Sequence, residues 1–118
     1  MEYQFIPTPT FEKSYKRLKK KYLSLKEDLE NFKKEFNKNP DIGSDLGGGF
    51  RKIRIAIKSK NSGKSGGARI ISYDMCIKTK NRIVILVEIY DKGKISTLSD
   101  TEYEMALNDF LSINNTSF

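Results

Sequence analysis

The chain has no histidine, no tryptophan and one cysteine, Cys76, in 118 residues. Without histidine, neither the Cys/His zinc patterns nor a histidine-activated nucleophile can be assembled, and a lone cysteine excludes an internal disulfide. Cys76 reads as a small buried hydrophobe in a strand. No stretch approaches the roughly 18 apolar residues of a membrane span. The start, Met1-Glu2-Tyr3-Gln4-Phe5, lacks the basic region and apolar run of a signal peptide, so the cytoplasm is the default location. The length suits one domain, residues 1–118, with one two-layer core and no room for a second catalytic domain.

Acidic residues are also missing where basic ones gather. From Leu46 to Tyr73 there are seven Lys/Arg and no Asp/Glu, whereas the rest of the chain balances fifteen bases against fifteen acids. The whole net charge of +7 is therefore equal to the excess in this one stretch. Gly47, Gly48 and Gly49, then Gly63, Gly66 and Gly67, lie inside it and can bend and expose it. Charge of one sign on such segments attracts a polyanion, with a nucleic-acid backbone as the leading partner. The alternative is a solvated basic surface with no ligand.

The apolar pattern divides the chain into elements. Tyr3 and Phe5 alternate with Glu2 and Gln4 in a short strand closed by Pro7. Thr8 caps a helix with Pro9 at its first position, and Phe11, Tyr15 and Leu18 mark its apolar face. The run Lys19-Lys20-Lys21 marks a turn, after which Tyr22, Leu25, Leu29, Phe32 and Phe36 keep helical spacing to a stop before Pro40. Residues 41–49 read as a loop. The period then changes to two: Ile53, Ile55 and Ile57 face one way, and Lys52, Arg54 and Lys58 the other. A glycine-rich loop follows, then strands from Ala68 to about Ile77 and from Ile83 to Tyr90, joined by Lys78 to Asn81, with a short edge segment at Ile95. Ser99 and Glu102 form a capping box for a last helix carrying Tyr103, Ala106, Leu107, Phe110 and Leu111, and a flexible tail begins near residue 113. The fold class is α+β: two N-terminal helices packed on a twisted, mainly antiparallel sheet of four or five strands, with a C-terminal helix at its edge.

If the helices cover the isoleucine face, the other face presents Lys52, Arg54 and Lys58 in a row. Their spacing of about 6.5 to 7 Å along a strand suits successive phosphates. Arg69 and Lys92 join the same concavity in a meander. A half-solvated strand that merely turns its charges outward remains the alternative. Converging carboxylates for a metal-dependent nuclease are scarce, with only Asp74, Glu88 and Asp91 on strands or strand ends. RNA carries its own nucleophile, the 2′-hydroxyl, and needs only a base, an acid and cations around the phosphate. Crowded lysines lower one another's pKa, so a lysine among cations can serve as the base. Gly63-Lys64-Ser65-Gly66 does not complete a Walker A loop: position 58 is Lys rather than Gly, and a strand pattern follows. It reads instead as a hairpin loop presenting Lys60 and Lys64.

Phe50-Arg51-Lys52-Ile53-Arg54, the run from Gly63 through Arg69 to Tyr73, Ile85 to Lys92 and Leu98-Ser99-Asp100-Thr101-Glu102 together resemble the RelE/ParE superfamily, and within it the HigB-like toxins. The resemblance spans nearly the whole chain. It implies a toxin of a type II toxin–antitoxin pair that enters the ribosomal A site and cuts messenger RNA without a metal or other cofactor. Lys52, Arg54, Arg69 and Lys92 match its catalytic positions, and Arg51, Lys58, Lys60, Lys64 and Tyr73 join as RNA-binding residues. The family's C-terminal tyrosine or histidine has no match after Leu98, which leaves the general acid unassigned. The implied partner is a cognate antitoxin with a helix-turn-helix domain, and operator DNA is bound only through it. A ParE-like gyrase inhibitor of the same fold, or a plain basic nucleic-acid-binding module, is the alternative.

Overall fold

The computed structural model describes residues 2–60, 63, 64, 66–75, 82–93 and 98–113. Cys76, the connection expected from Lys78 to Asn81, the edge segment at Ile95 and the tail beyond residue 113 lie outside them. A five-stranded sheet runs in the order β1-β5-β4-β3-β2, comprising β1 (Gln4–Pro7), β2 (Ser44–Gly47), β3 (Phe50–Ile55), β4 (Ala68–Asp74) and β5 (Ile83–Asp91). The helices are α1 (Pro9–Lys21), α2 (Leu25–Lys38) and α3 (Asp100–Ile113).

Local chemistry sets most boundaries. β1 pairs in parallel with β5, and at its end the Thr8 side chain accepts from the Phe11 N–H at 3.0 Å while its Oγ1 donates to the Val87 carbonyl at 2.8 Å. One hydroxyl thus caps α1 and docks its start on β5, with Pro9 tolerated where no intrahelical N–H bond is needed. Ser99 caps α3 as expected, the Glu102 N–H donating to Ser99 Oγ, while the Glu102 carboxylate accepts from that hydroxyl rather than from the Ser99 backbone N–H of a full capping box. β3, β4 and β5 form the antiparallel meander.

Two cores sandwich the sheet. On one face Phe11, Leu18, Leu25, Phe32 and Phe36 of the helical pair cover Ile53, Ile55, Ile70, Val84 and Leu86. On the other, Tyr103, Ala106 and Leu107 of α3 cover Phe50, Ile71, Tyr73, Ile85 and Val87. This corrects the picture of a wholly open second face with α3 at the sheet edge, because the aromatics Phe50 and Tyr73 need a cover and α3 provides it, Phe50 lying 4.8 Å from the Tyr103 ring.

Two further corrections bear on the site. Residues 44–47, expected as loop, form edge strand β2 antiparallel to β3. Three of its four residues are exposed and Leu46 is the sole apolar one, so no alternating hydrophobic signal marks it. Lys58 does not continue the Lys52/Arg54 row. β3 stops at Ile55, and a 3₁₀ turn at Lys58–Lys60 swings Lys58 towards α2, where its Nζ meets Glu27 at 2.7 Å and its N–H meets the Asp28 carboxylate at 3.3 Å.

Candidate nucleic-acid interface

β3 alternates between its two faces, so Ile53 and Ile55 enter the first core while Lys52 and Arg54 point the other way, beyond the area that α3 covers. Arg54 is directly opposite Arg69 on β4, and Arg69 is directly opposite Tyr90 on β5. These three side chains form one cross-strand row on adjacent strands about 4.8 Å apart. Lys92 lies just past the end of β5, on the side of Tyr90. Around them opens a cleft of about 480 Å³ lined by Lys52, Arg54, Lys64, Arg69 and Lys92, with Glu35, Ile42, Gly43, Ser44 and Ile53 on its walls. The four residues nominated as catalytic thus share one cleft, and Lys64 borders it.

The cleft is electrostatically tense. Arg69 is only 5% exposed, and its Nη1 donates to the carbonyls of Lys64 and Ala68 at 3.1 and 3.3 Å. Burial lowers its pKa, and the Arg54 charge lowers it further. Arg54 is exposed, and neither it nor Lys52 has a carboxylate within ion-pair distance among the described residues. Lys64 Nζ meets the Glu35 carboxylate at 2.6 Å at the cleft wall. An anion entering here relieves repulsion between fixed cations, which is how a preorganised phosphate site works.

Close backbone approaches shape the walls. A Cβ on Gly67 would stand 2.0 Å from the Ile55 carbonyl oxygen, and one on Gly43 would stand 2.6 Å from that of Lys52. Glycine at both positions lets the flanking segments cross β3 tightly. The glycine loop is also anchored: Lys60 Nζ donates to the Gly66 carbonyl and to Asp91, both at 2.6 Å. Asp91 in turn accepts from Tyr22 Oη at 2.7 Å and from the Gly93 N–H at 2.9 Å. Burial pushes the Asp91 carboxyl up, but these donors outweigh it and hold the pKa at about 2.

Four nominated RNA contacts therefore sit outside the cleft lining. Lys60 is a half-buried strut rather than a cation on a free loop. Lys58 is paired with Glu27 as described. Arg51 Nη1 donates to the carbonyls of Asp41 and Ile42, fastening the approach to β2. Tyr73 is 8% exposed and packs its ring 5.1 Å from that of Phe50 in the second core.

Other residues escaped the sequence pattern. Asp28, which no sequence pattern marks as buried, is 4% exposed and accepts from Ser24 Oγ at 2.7 Å. Glu35, in the cleft wall, carries no signal beyond its place beside Phe36. Tyr90 is 3% exposed, and its hydroxyl has no hydrogen-bond partner among the described residues. Its pKa is raised by burial, against the pull of Arg69 and of the Leu98 backbone, which comes near the hydroxyl without reaching good hydrogen-bond geometry. Among the described residues no three His, Cys, Asp or Glu side chains gather as a metal site, and no helix is long and apolar enough to cross a membrane.

No family model matches the chain. Among solved structures, a double arginine-to-alanine mutant of Escherichia coli toxin RelE in the free state is similar, with a TM-score of 0.58 over 94% of this chain and 100% of that one. The fold is RelE-like. Sequence identity is 16%, so the similarity speaks to architecture alone. In that RelE-like architecture the basic cleft joins the Lys52, Arg54 and Arg69 side of the sheet to the margin of the first core, where Glu35, Ile42 and Ile53 form its walls.

Proposed function

We propose that this chain is a HigB-like toxin of a type II toxin–antitoxin system, a cytoplasmic endoribonuclease that cuts messenger RNA in the ribosomal A site without a metal. The observation that carries the reading is the convergence of Lys52, Arg54, Arg69 and Lys92 on one cleft in a RelE-like fold. Arg69 and Arg54 hold the scissile phosphate and stabilise charge as it develops on the non-bridging oxygens. One lysine of the pair Lys52 and Lys92 removes the 2′-hydroxyl proton. The 2′-oxygen attacks phosphorus, the bond to the 5′-oxygen breaks, and the other lysine donates a proton to that leaving oxygen. The products are a 2′,3′-cyclic phosphate and a 5′-hydroxyl.

Of the further RNA-binding residues, Lys64 acts at the cleft wall, and Arg51, Lys58, Lys60 and Tyr73 act through the scaffold that holds it. A cognate antitoxin with a helix-turn-helix domain restrains the free +7 protein, and operator DNA is bound through that partner. Translating ribosomes incubated with the protein and mapped by primer extension test the reading. New message ends bearing 2′,3′-cyclic phosphate, lost with Arg69→Ala, are expected. Intact messages with trapped DNA–gyrase complexes would instead identify a ParE-like inhibitor, and intact messages without them a plain nucleic-acid-binding module.

A further inference from the structure

The cleft leaves unexplained a second concentration of charge. Between Pro9 and Lys21, α1 carries six cations, Lys13, Lys16, Arg17, Lys19, Lys20 and Lys21, against one carboxylate, Glu12. All six are exposed. Lys13, Lys16, Arg17 and Lys20 follow one another at spacings of three, one and three. Helical geometry puts them on the side opposite the buried Phe11, Ser14 and Leu18. Among the described residues none of these four makes an ion pair within 4 Å or a side-chain hydrogen bond, Arg17 alone feeling a carboxylate, Glu88 of β5, and no α1 residue lines the cleft. Four like charges on one helix face repel one another and are held there by the packing of the opposite face.

We propose that this outer face of α1 is a second nucleic-acid site, for the phosphate backbone of duplex RNA. The chemistry of the face selects that ligand. An anionic membrane surface attracts such cations, but firm attachment takes a second element such as an apolar side that enters the lipid boundary, and the apolar side of α1 is consumed by the first core. A protein interface is built around an apolar or aromatic centre and is depleted in lysine, whereas the four residues here supply charge alone. Lys13 to Lys20 spans about 10 Å of helix axis, and a duplex offers one negative charge per about 1.7 Å of its length. The four cations therefore meet several phosphates at once and release their counterions. The proposal deepens the ribosomal reading, since a toxin that grips a structured RNA with α1 presents its cleft to the message separately. It depends on that reading for its biological setting and not for its chemistry.

The test is fluorescence anisotropy of a labelled RNA duplex of about 16 base pairs, titrated with the full chain over a range of KCl concentrations. Wild type is compared with the combined variant Lys13→Gln, Lys16→Gln, Arg17→Gln, Lys20→Gln and with the cleft variant Lys52→Gln, Arg54→Gln. Neutralising α1 should lower the slope of log affinity against log salt by about 3 to 4 and weaken binding at least about tenfold near 0.1 M salt. The cleft variant should retain most duplex binding. By circular dichroism the α1 variant should unfold no earlier than wild type, because relief of repulsion among the four charges offsets the loss of the Arg17 attraction to Glu88. An unchanged salt slope in the α1 variant overturns the proposal. So does tighter binding to phosphatidylserine vesicles or to poly-glutamate than to the duplex. If messages stay uncut while duplex binding still depends on α1, the cleavage reading fails and the α1 site stands.

Discussion

Arg54 and Arg69 are directly paired across β3 and β4 with their guanidinium groups on the same face, the first exposed and the second 5% exposed. Two cations so placed raise the energy of the empty cleft and are reconciled by an anion between or above them. Arg69 is the better-held member, fixed by two carbonyls. Arg69→Lys keeps the charge and loses the planar fork, so message cutting should fall by about 100-fold or more. Arg54→Gln should reduce cutting less, by about tenfold, while raising the melting temperature slightly through relief of repulsion at Arg69. Single-turnover cleavage on programmed ribosomes, together with thermal melts, checks both. Equal rates for Arg69→Lys and wild type would show that only charge is needed there.

Asp91 ties Tyr22, Lys60 and Gly93 into one junction beneath the glycine loop. Its folded pKa of about 2 lies below the ordinary value of 3.8, so the ionised carboxylate stabilises the fold. The contribution is complete above about pH 5 and disappears as pH falls through about 4 to about 2. It is worth about 2 kcal/mol from the shift alone. Asp91→Asn should cost about 2 to 4 kcal/mol at pH 7, since it leaves the Lys60 ammonium half-buried beside a neutral group. In denaturant melts the gap between variant and wild type should close to under about 1 kcal/mol near pH 2. A gap independent of pH would assign the loss to packing.

The features legible in the sequence were those encoded locally. Thr8 with Pro9, Ser99 with Glu102, and the alternation of Lys52 and Arg54 with Ile53 and Ile55 each depend on neighbours a few positions away, and the structure keeps all of them. A period of two cannot show where a strand stops, which is why Lys58 reads as part of the row although β3 ends at Ile55 and the chain turns at Lys58–Lys60. Edge strand β2, with Leu46 alone, leaves no periodic trace. Placement of Glu35 in the cleft wall and of Tyr90 beside Arg69 follows from α2 and β5 crossing or pairing with distant segments. The charged face of α1 was hidden differently. Counting fifteen bases against fifteen acids outside Leu46 to Tyr73 averages that helix with the carboxylates of α2 and α3.

Among the described residues Glu35 is the one carboxylate lining the cleft, and at 2.6 Å it occupies Lys64, both side chains being about half exposed. Glu35→Gln should release Lys64 to phosphate and make the cleft more positive. RNA affinity should rise, with the slope of log affinity against log salt steeper by about 1. Lys64→Gln should make it shallower by a similar amount. Filter binding of single-stranded RNA with a 2′-deoxy scissile nucleotide measures both without turnover. Tighter binding by Lys64→Gln would show that Glu35, rather than Lys64, faces the RNA.

Tyr90 completes the row begun by Arg54 and Arg69, yet its hydroxyl is buried with only a poorly aligned approach to the Leu98 backbone to satisfy it. Such a group costs about 1 to 3 kcal/mol relative to one that is satisfied. Phenylalanine fills the same space without the polar atom, so Tyr90→Phe should leave the fold at least as stable as wild type, with a gain of up to about 1 kcal/mol. A residue that burdens the fold beside the arginine proposed to hold phosphate belongs to the class kept for the site rather than for the scaffold. Cutting should therefore fall severalfold while stability holds or rises, with the loss in turnover rather than in affinity for uncleavable RNA. A variant that melts earlier by more than about 1 kcal/mol would mean that the hydroxyl is bonded in solution. One that cuts at the wild-type rate would leave Tyr90 as filler of the second core.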